Sequence, residues 1–210
     1  MGRKHLVAIH DSTTIPYVLA ALVIYSVDHA IRLLKGRITT AHIRAIPELS
    51  ATRVEIPSLN AGWRAGQHVR LRVLCSKMGV LGWSEAHPFT IANDSGSEEG
   101  MVLMCKKAGD WTGKLYGMAL ESGYGEVGRG TGGDVKVMVE GPYGGPGLTV
   151  YASFSAALFV CGGSGITFAL SAIQELVKAG VEAPGSSRVK HIELVWSIRD
   201  PGSYTSLSLL

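Results

Sequence analysis

Cysteine is scarce: Cys75, Cys105 and Cys161 are the only three in 210 residues. They are odd in number, show no CxxC spacing and sit in apolar runs, which argues against a disulfide scaffold or thiolate metal site and for buried thiols in a reducing compartment. The seven histidines, His5, His10, His29, His42, His68, His87 and His191, form no spaced metal set. No nucleophile, base and orienting acid fall into a recognisable hydrolase motif. Charge is also sparse, at 18% with a net value of +3 and a sequence pI near 8.8. Without a basic stripe interleaved with aromatics, this gives no footprint for nucleic acid. What the chain has instead is glycine, 27 residues, and a positive mean hydropathy of +0.21. Such a composition points to many turns, to loops that hug a ligand, and to a membrane contact. The length accommodates one large domain or two modest ones, and two is the better starting point.

A full membrane-crossing run is also missing. Ile15 to Val27 is apolar but shorter than the roughly 20 residues a crossing needs, and Asp28 reads as its stop. Tyr17 and Tyr25 suit an interfacial position, and Arg32, Lys35 and Arg37 follow at once. That is the positive-inside pattern, with the C-terminal end of the helix and the residues after it on the cytoplasmic side. A buried helix of a soluble domain fits the same length. No small-residue cleavage site precedes a polar mature start, which argues against a signal peptide.

From Ile38 to about Glu140 the texture is one of short β-type runs: Thr39 to Ile46, Thr52 to Ile56, Val69 to Leu74, Phe89 to Ala92, Met101 to Cys105 and Val135 to Val139. This spacing predicts a small antiparallel barrel or sandwich, interrupted by one helix that begins near Trp111. After Gly141 to Gly147 the pattern changes to a strand over Ala156 to Cys161, a glycine turn over Gly162 to Gly165, a helix over Ile166 to Val177 and a strand over Ile192 to Ile198. Both strands read as buried type, and together they make a βαβ unit. One such unit is fewer than a nucleotide domain normally has, so the chain reads as truncated.

Three strings carry chemistry. In His87-Pro88-Phe89-Thr90 a rigid proline precedes an extended segment, placing Phe89 and the Thr90 hydroxyl on opposite sides of a strand. A flat, phosphate-bearing ligand such as FAD suits that arrangement, with His87 as a donor or simply a turn residue. Gly109-Asp110-Trp111-Thr112 opens a helix, whose free N–H groups suit a pyrophosphate but equally need an ordinary N-cap. Lys106 and Lys107 just upstream add positive charge or form a solvated strand end. Cys161-Gly162-Gly163-Ser164-Gly165-Ile166-Thr167 lies between strand and helix, the context of a dinucleotide loop and also of a tight turn. Arg199, after the last strand, is a candidate for a ribose phosphate, with Ser197 near the end of that strand assisting. Asn93-Asp94-Ser95 matches a glycosylation sequon but comes after the flavin string, where a glycan makes sense only on an exported face.

Gly66-Gln67-His68, His87-Pro88-Phe89-Thr90, Lys106 to Thr112, Glu140-Gly141-Pro142-Tyr143-Gly144 and Gly162 to Thr167, taken in order, closely resemble the ferric reductase and NADPH oxidase family. Fungal metalloreductases are the nearest match, and the likeness runs from about Pro16 to Asp200. It implies a β barrel plus an α/β part, ferredoxin-NADP reductase-like. Residues 1–36 would be a membrane-helix end with a basic segment, 37–147 an antiparallel flavin-binding barrel, and 148–210 an incomplete Rossmann-like nucleotide-binding domain.

By that resemblance His87, Pro88, Phe89 and Thr90 line FAD, while Lys106, Gly109, Trp111 and Thr112 hold its pyrophosphate. Gly162, Gly163, Ser164, Gly165, Ile166 and Thr167 meet NADPH, and Gly141, Pro142 and Tyr143 stand at the domain junction; Ser197 and Arg199 join the nucleotide site only from their place in the chain. The implied reaction is hydride transfer from NADPH to FAD, then single electrons towards haem and on to a ferric or cupric ion. Haem is expected only in a membrane part that this chain lacks, and later strands of the nucleotide domain are missing too. A fragment or shortened form is therefore expected. Two other readings share these motifs: a superoxide-forming oxidase, and a non-catalytic truncated paralogue that binds a cofactor or pairs with a full-length relative. The expected setting is a membrane, with the flavin and nucleotide parts cytoplasmic.

Overall fold

Residues 2–79, 82–123, 133–182, 185 and 187–198 are described in a computed structural model, with side chains from residue 14 onward. The chain divides into two units, Met1–Gly36 and Arg37–Leu210.

The first unit is one helix, α1 (Gly2–Lys35). Its stretch Thr14–Lys35, 22 residues with a mean hydropathy of 1.5, is long and apolar enough to cross a membrane. The sequence expectation of a shorter apolar run stopped at Asp28 is corrected here. Asp28 does not end the helix, because one turn later Arg32 Nε donates to its Oδ2 at 2.7 Å, a pairing that the i, i+4 spacing allows. Arg32 and Lys35 in the last turn also complement the negative end of the helix dipole.

Strict alternation builds the second unit. Inward positions Ala41 and Ile43 of β1 (Arg37–Ile46), Val69, Leu71 and Val73 of β3 (Gln67–Val73), and Val135, Val137 and Val139 of β6 (Gly133–Gly144) are buried. Between them stand polar or partly exposed residues, the period-2 signature of a sheet with one packed face. With β2 (Ala51–Ile56), β4 (His87–Thr90) and β5 (Met101–Lys106) these strands form a six-stranded antiparallel sheet in the order β4-β3-β6-β1-β2-β5. The sheet nearly closes into a barrel: its edges meet through the bridge Ile91↔Leu103 and the bond from Ala92 N to Val102 O at 2.8 Å.

Helix α2 (Asp110–Gly123) contributes Trp111, Leu115 and Ala119 to the barrel core. Asp110 in its first turn favours the start electrostatically.

The loop before β5 depends on a buried amide. Asn93, 6% exposed, donates from Nδ2 to Gly100 O at 2.7 Å and accepts from Val102 N at 3.0 Å, while its carbonyl accepts from Trp63 Nε1. A glycan cannot be attached to a side chain so used, which disposes of the sequon. Asn93→Ala is expected to cost about 2 kcal/mol by orphaning two buried backbone groups, read from thermal or denaturant unfolding.

Beyond the barrel, β7 (Ala156–Gly162) and β8 (His191–Ser197) pair in parallel and α3 (Ile166–Glu182) crosses between them. Phe159, Ala169, Ala172 and Leu176 form their core together with Ala65 of the barrel. Both strands were expected to be buried on both faces, yet Leu158 and Val160 are 63% and 72% exposed. The reason is geometric: among the described residues α3 packs one face of this two-stranded sheet and nothing packs the other.

Burial pushes the Cys105 and Cys161 thiols upward, so neither offers a thiolate near neutral pH. All three cysteines are free. Cys105 is fully buried as expected, whereas Cys75 and Cys161 are half-buried.

Candidate functional site

The β4 strand and the α2 N-terminus come together through aromatic rings. His87 and Phe89 lie opposite Leu71 and Val69 in the ladder, and Pro88 and Thr90 lie opposite Arg70 and His68. Paired residues of an antiparallel ladder share a face, so Phe89 and Thr90 do point to opposite sides of the strand. On the first side Trp111 fills the gap: its ring centroid is 4.4 Å from that of His87 and 6.0 Å from that of Phe89. The Trp111 side chain is therefore core, 6% exposed, and its backbone is what the helix start presents. His87 also reaches Glu85 at 3.3 Å. On the second side the half-buried Thr90 hydroxyl makes no hydrogen bond among the described residues.

Thr112 shapes the turn into α2. Its Oγ1 accepts from the N–H groups of Ala108 and Gly109 at 2.9 and 3.0 Å and lies 3.1 Å from Gly109 O, to which it can donate. This is the N-cap function that the sequence left open beside phosphate binding. Lys106 ends β5 exposed, and Lys107 stands 5.5 Å over the Tyr116 ring.

The expected junction residues Gly141 to Tyr143 form the end of β6, where Tyr143 and Gly144 pair with His68 and Gln67. Gly141–Pro142 is a cis bond, and the Tyr143 hydroxyl donates to the buried Glu140 carboxylate at 2.8 Å. Gln67 fastens this strand end from across the sheet: Nε2 donates to Gly144 O at 3.2 Å and Oε1 accepts from Arg64 N at 2.8 Å. Arg64 then holds the connection onward through Gly147 O and Thr149 O, at 3.1 and 2.9 Å. Gln67 O accepts from Ile91 N at 3.0 Å, so the junction and the β4 strand share a neighbour.

Gly162 ends β7, and Gly163–Gly165 turn into α3. In the parallel register Gly162 faces Ser197, which brings that predicted residue beside the loop. Ligands of open α/β sheets collect at this carboxyl end of the strands. Gly162, Gly163, Ser164 and Gly165 are exposed, whereas Ile166 and Thr167 are buried, and the Thr167 hydroxyl donates to Ser164 O at 3.1 Å. Arg199 lies outside the described residues. Trp196 escaped the sequence reading: from β8 its Nε1 donates to Gly163 O at 2.9 Å and so pins the loop. Arg64 and Trp63 escaped it too, since their partners lie far along the chain, whereas Gln67 was quoted in the Gly66-Gln67-His68 string without its bond to Gly144.

Two glycines leave open space over these loops. Gly162 has extended backbone, φ −125° and ψ 137°, and a Cβ on it or on Gly109 would meet no atom within 4 Å. Neither the fold's packing nor a left-handed conformation requires glycine at these two places. The same open space surrounds Gly113, Gly117 and Gly180. Among the described residues no group of three metal-ligating side chains occurs.

Comparison with known proteins agrees with this geometry. Residues 38–147 match the family model described as an FAD-binding domain, and residues 154–210 match that described as a ferric reductase NAD binding domain. "Ferric reduction oxidase 2" of Arabidopsis thaliana is 32% identical over 125 residues, 59% of this chain and 16% of that protein. "Probable cell surface ferric reductase kap2" of Aspergillus oryzae is 32% identical over 148 residues, 66% of this chain and 18% of that protein. "Respiratory burst oxidase homolog protein D" of Solanum tuberosum is 24% identical, with 93% of this chain and 25% of that protein covered. The chain thus spans a quarter or less of the length of these relatives. In fold it is similar to a ferredoxin NADP+ reductase from Neisseria gonorrhoeae with bound FAD and NADP, at a TM-score of 0.54 and 13% identity over 82% of this chain and 62% of that one. The barrel with its following α/β part is accordingly ferredoxin-NADP reductase-like, and the chain belongs to the ferric reductase and NADPH oxidase family of flavin- and nicotinamide-nucleotide-binding proteins.

Proposed function

We propose that this chain is the flavin and nucleotide portion of an NADPH-dependent metalloreductase, divided into a flavin domain over 37–147 and a nucleotide domain over 148–210. The observation that carries this reading is the pair of open glycine loops, one with Gly109 just before α2 and one running from Gly162 at the end of β7 through Gly163–Gly165 into α3.

A bound FAD would supply an acceptor for the hydride of NADPH and a means of releasing the two electrons singly. The chain's own residues bind and orient. His87 and Phe89 stack on Trp111, with Phe89 packed partly against the barrel core, and offer what remains exposed of their rings to the flavin, while the Thr90 hydroxyl on the other side of the strand is free to donate. The open backbone at Gly109 and the N–H groups of Asp110 to Thr112, with Lys106, hold the FAD pyrophosphate, the Gly109 N–H being taken by the Thr112 hydroxyl. Gly162 to Thr167 receive the nucleotide phosphates, assisted by Ser197 and Arg199, and Gly141 to Tyr143 close the junction. α1 anchors the chain in a membrane with both domains cytoplasmic, and the electrons continue through haem of an adjoining membrane part to a ferric or cupric ion. The likeness to a respiratory burst oxidase homologue favours a second reading, in which oxygen is the acceptor and superoxide the product.

The test is anaerobic addition of NADPH to the chain loaded with FAD. Bleaching of the flavin absorbance is expected; a flavin that stays oxidised would refute the reductase reading while leaving FAD binding intact. Thr90→Val is expected to weaken FAD binding by about 1.5–3 kcal/mol through loss of a charge-assisted hydrogen bond, read by flavin fluorescence titration.

A further inference from the structure

Helix α3 is fastened to the barrel along one face. Near its start, Phe168 lies against Gly66, where an added Cβ would come within 2.6 Å of Phe168 Cε2. Two turns later Glu175 Oε2 accepts from Ala65 N at 2.7 Å, and Gln174 Oε1 accepts from Asp94 N at 3.1 Å. Lys178 Nζ then donates to Asp94 Oδ2 at 2.9 Å and to Ser95 O at 2.7 Å. Positions 168, 174, 175 and 178 fall on one side of a 3.6-residue helix, so four successive contacts act as one clamp. They also mix an apolar stop with directional polar bonds.

Both ends of this clamp lead to the candidate site. Phe168 comes directly after the Gly162 to Thr167 loop. On the barrel side Gly66 precedes Gln67, whose carbonyl accepts from Ile91 N, and the next ladder pair is His68↔Thr90. The path from the nucleotide loop to the flavin strand is thus Phe168, Gly66, Gln67 and Ile91, with Lys178 and Glu175 preventing α3 from sliding. A hydride jump tolerates little slack: reacting atoms need to lie about 3–3.5 Å apart, and a misplacement of about 1 Å can cost on the order of 100-fold in rate.

We propose that α3 is a spacing gauge, in which Phe168, Glu175 and Lys178 are positioning residues that set the separation of the nucleotide loop from the flavin strand. They govern the rate of hydride transfer and not the affinity for either cofactor. This inference rests on the reductase reading above.

The experiment uses the full chain with FAD in detergent micelles and follows anaerobic flavin reduction by NADPH in a stopped-flow instrument. Lys178→Asp and Asp94→Lys are each expected to lower the limiting rate at saturating NADPH by about tenfold or more, leaving FAD content and nucleotide Kd within about twofold. The double reversal restores the ion pair and is expected to recover most of the rate. Lys178→Met serves where a reversal does not fold. Hydrogen exchange gives a second readout that needs no turnover: the Ala65 and Asp94 amides are expected to be protected in the parent chain and to exchange faster in Glu175→Ala and Lys178→Met. Unchanged limiting rates, a loss confined to Kd, or a double variant no better than the singles would overturn the gauge. A parent chain that NADPH cannot reduce refutes the reductase reading; protected Ala65 and Asp94 amides in that case mark the clamp as a fold contact only, which overturns the inference as well.

Discussion

Glu140→Ala is expected to remove about 3–5 kcal/mol of folding stability, because it breaks a buried charge pair from one side. The Glu140 side chain is 1% exposed and that of Arg72 8%, with Arg72 Nη2 3.9 Å from Glu140 Oε2. Alanine strands the guanidinium in the barrel with its bond to Ser84 O, and also removes the acceptor of the Tyr143 hydroxyl. With an m-value of about 2 kcal/mol/M, the urea midpoint falls by about 2 M, read by far-ultraviolet circular dichroism on the chain without added FAD. Arg72→Met combined with Glu140→Leu removes both charges and is expected to cost far less, since an apolar pair of similar volume escapes the desolvation penalty. A shift below about 0.5 M for Glu140→Ala would show that water reaches the pair. The cluster also joins the two halves of the site: Glu140 precedes the junction residues, and Arg72 holds the loop that enters β4. Cofactor retention should therefore fall together with stability.

How much of this was legible in the sequence depends on how local each cause is. The alternation of Val69, Leu71 and Val73, or of Val135, Val137 and Val139, announces a half-buried strand, and the run from Ile166 announces an amphipathic helix, because the period itself encodes the face. The glycine strings were legible as loops at helix starts for the same reason. Asp28 misleads although Arg32 stands one turn away, since a lone carboxylate in an apolar run looks like a stop until its partner is considered. The β7 run misleads because continuous apolar character does not say which face another element covers. Least legible were the long-range contacts. Trp196 bonds the carbonyl of Gly163 from the far strand, and Lys178 meets Asp94 across 84 positions; no spacing rule links either pair. The loops themselves were readable, and the devices that hold them in place were not.

Gly162→Val is expected to have opposite effects on the fold and on the ligand. Gly162 sits in regular extended backbone at φ −125° and ψ 137°, and a Cβ added there would have no atom within 4 Å. A β-branched residue is favoured in such a conformation, and loss of glycine reduces the entropy of the unfolded chain. The variant should therefore be as stable as the parent or more so, by up to about 1 kcal/mol. Its isopropyl group, however, fills the open space over the loop and keeps a diphosphate from the N–H groups of Gly163 to Gly165. Two charge-assisted hydrogen bonds lost at about 2 kcal/mol each give about 4 kcal/mol, or about a 1000-fold rise in nucleotide Kd. Titration calorimetry with NADP+ and a thermal melt of the same sample read both quantities. Weaker binding with an unchanged or raised melting temperature is the expected pair of results. A destabilised variant would mean that glycine serves the fold at this position, and unaltered binding would place the nucleotide phosphates away from the β7–α3 loop.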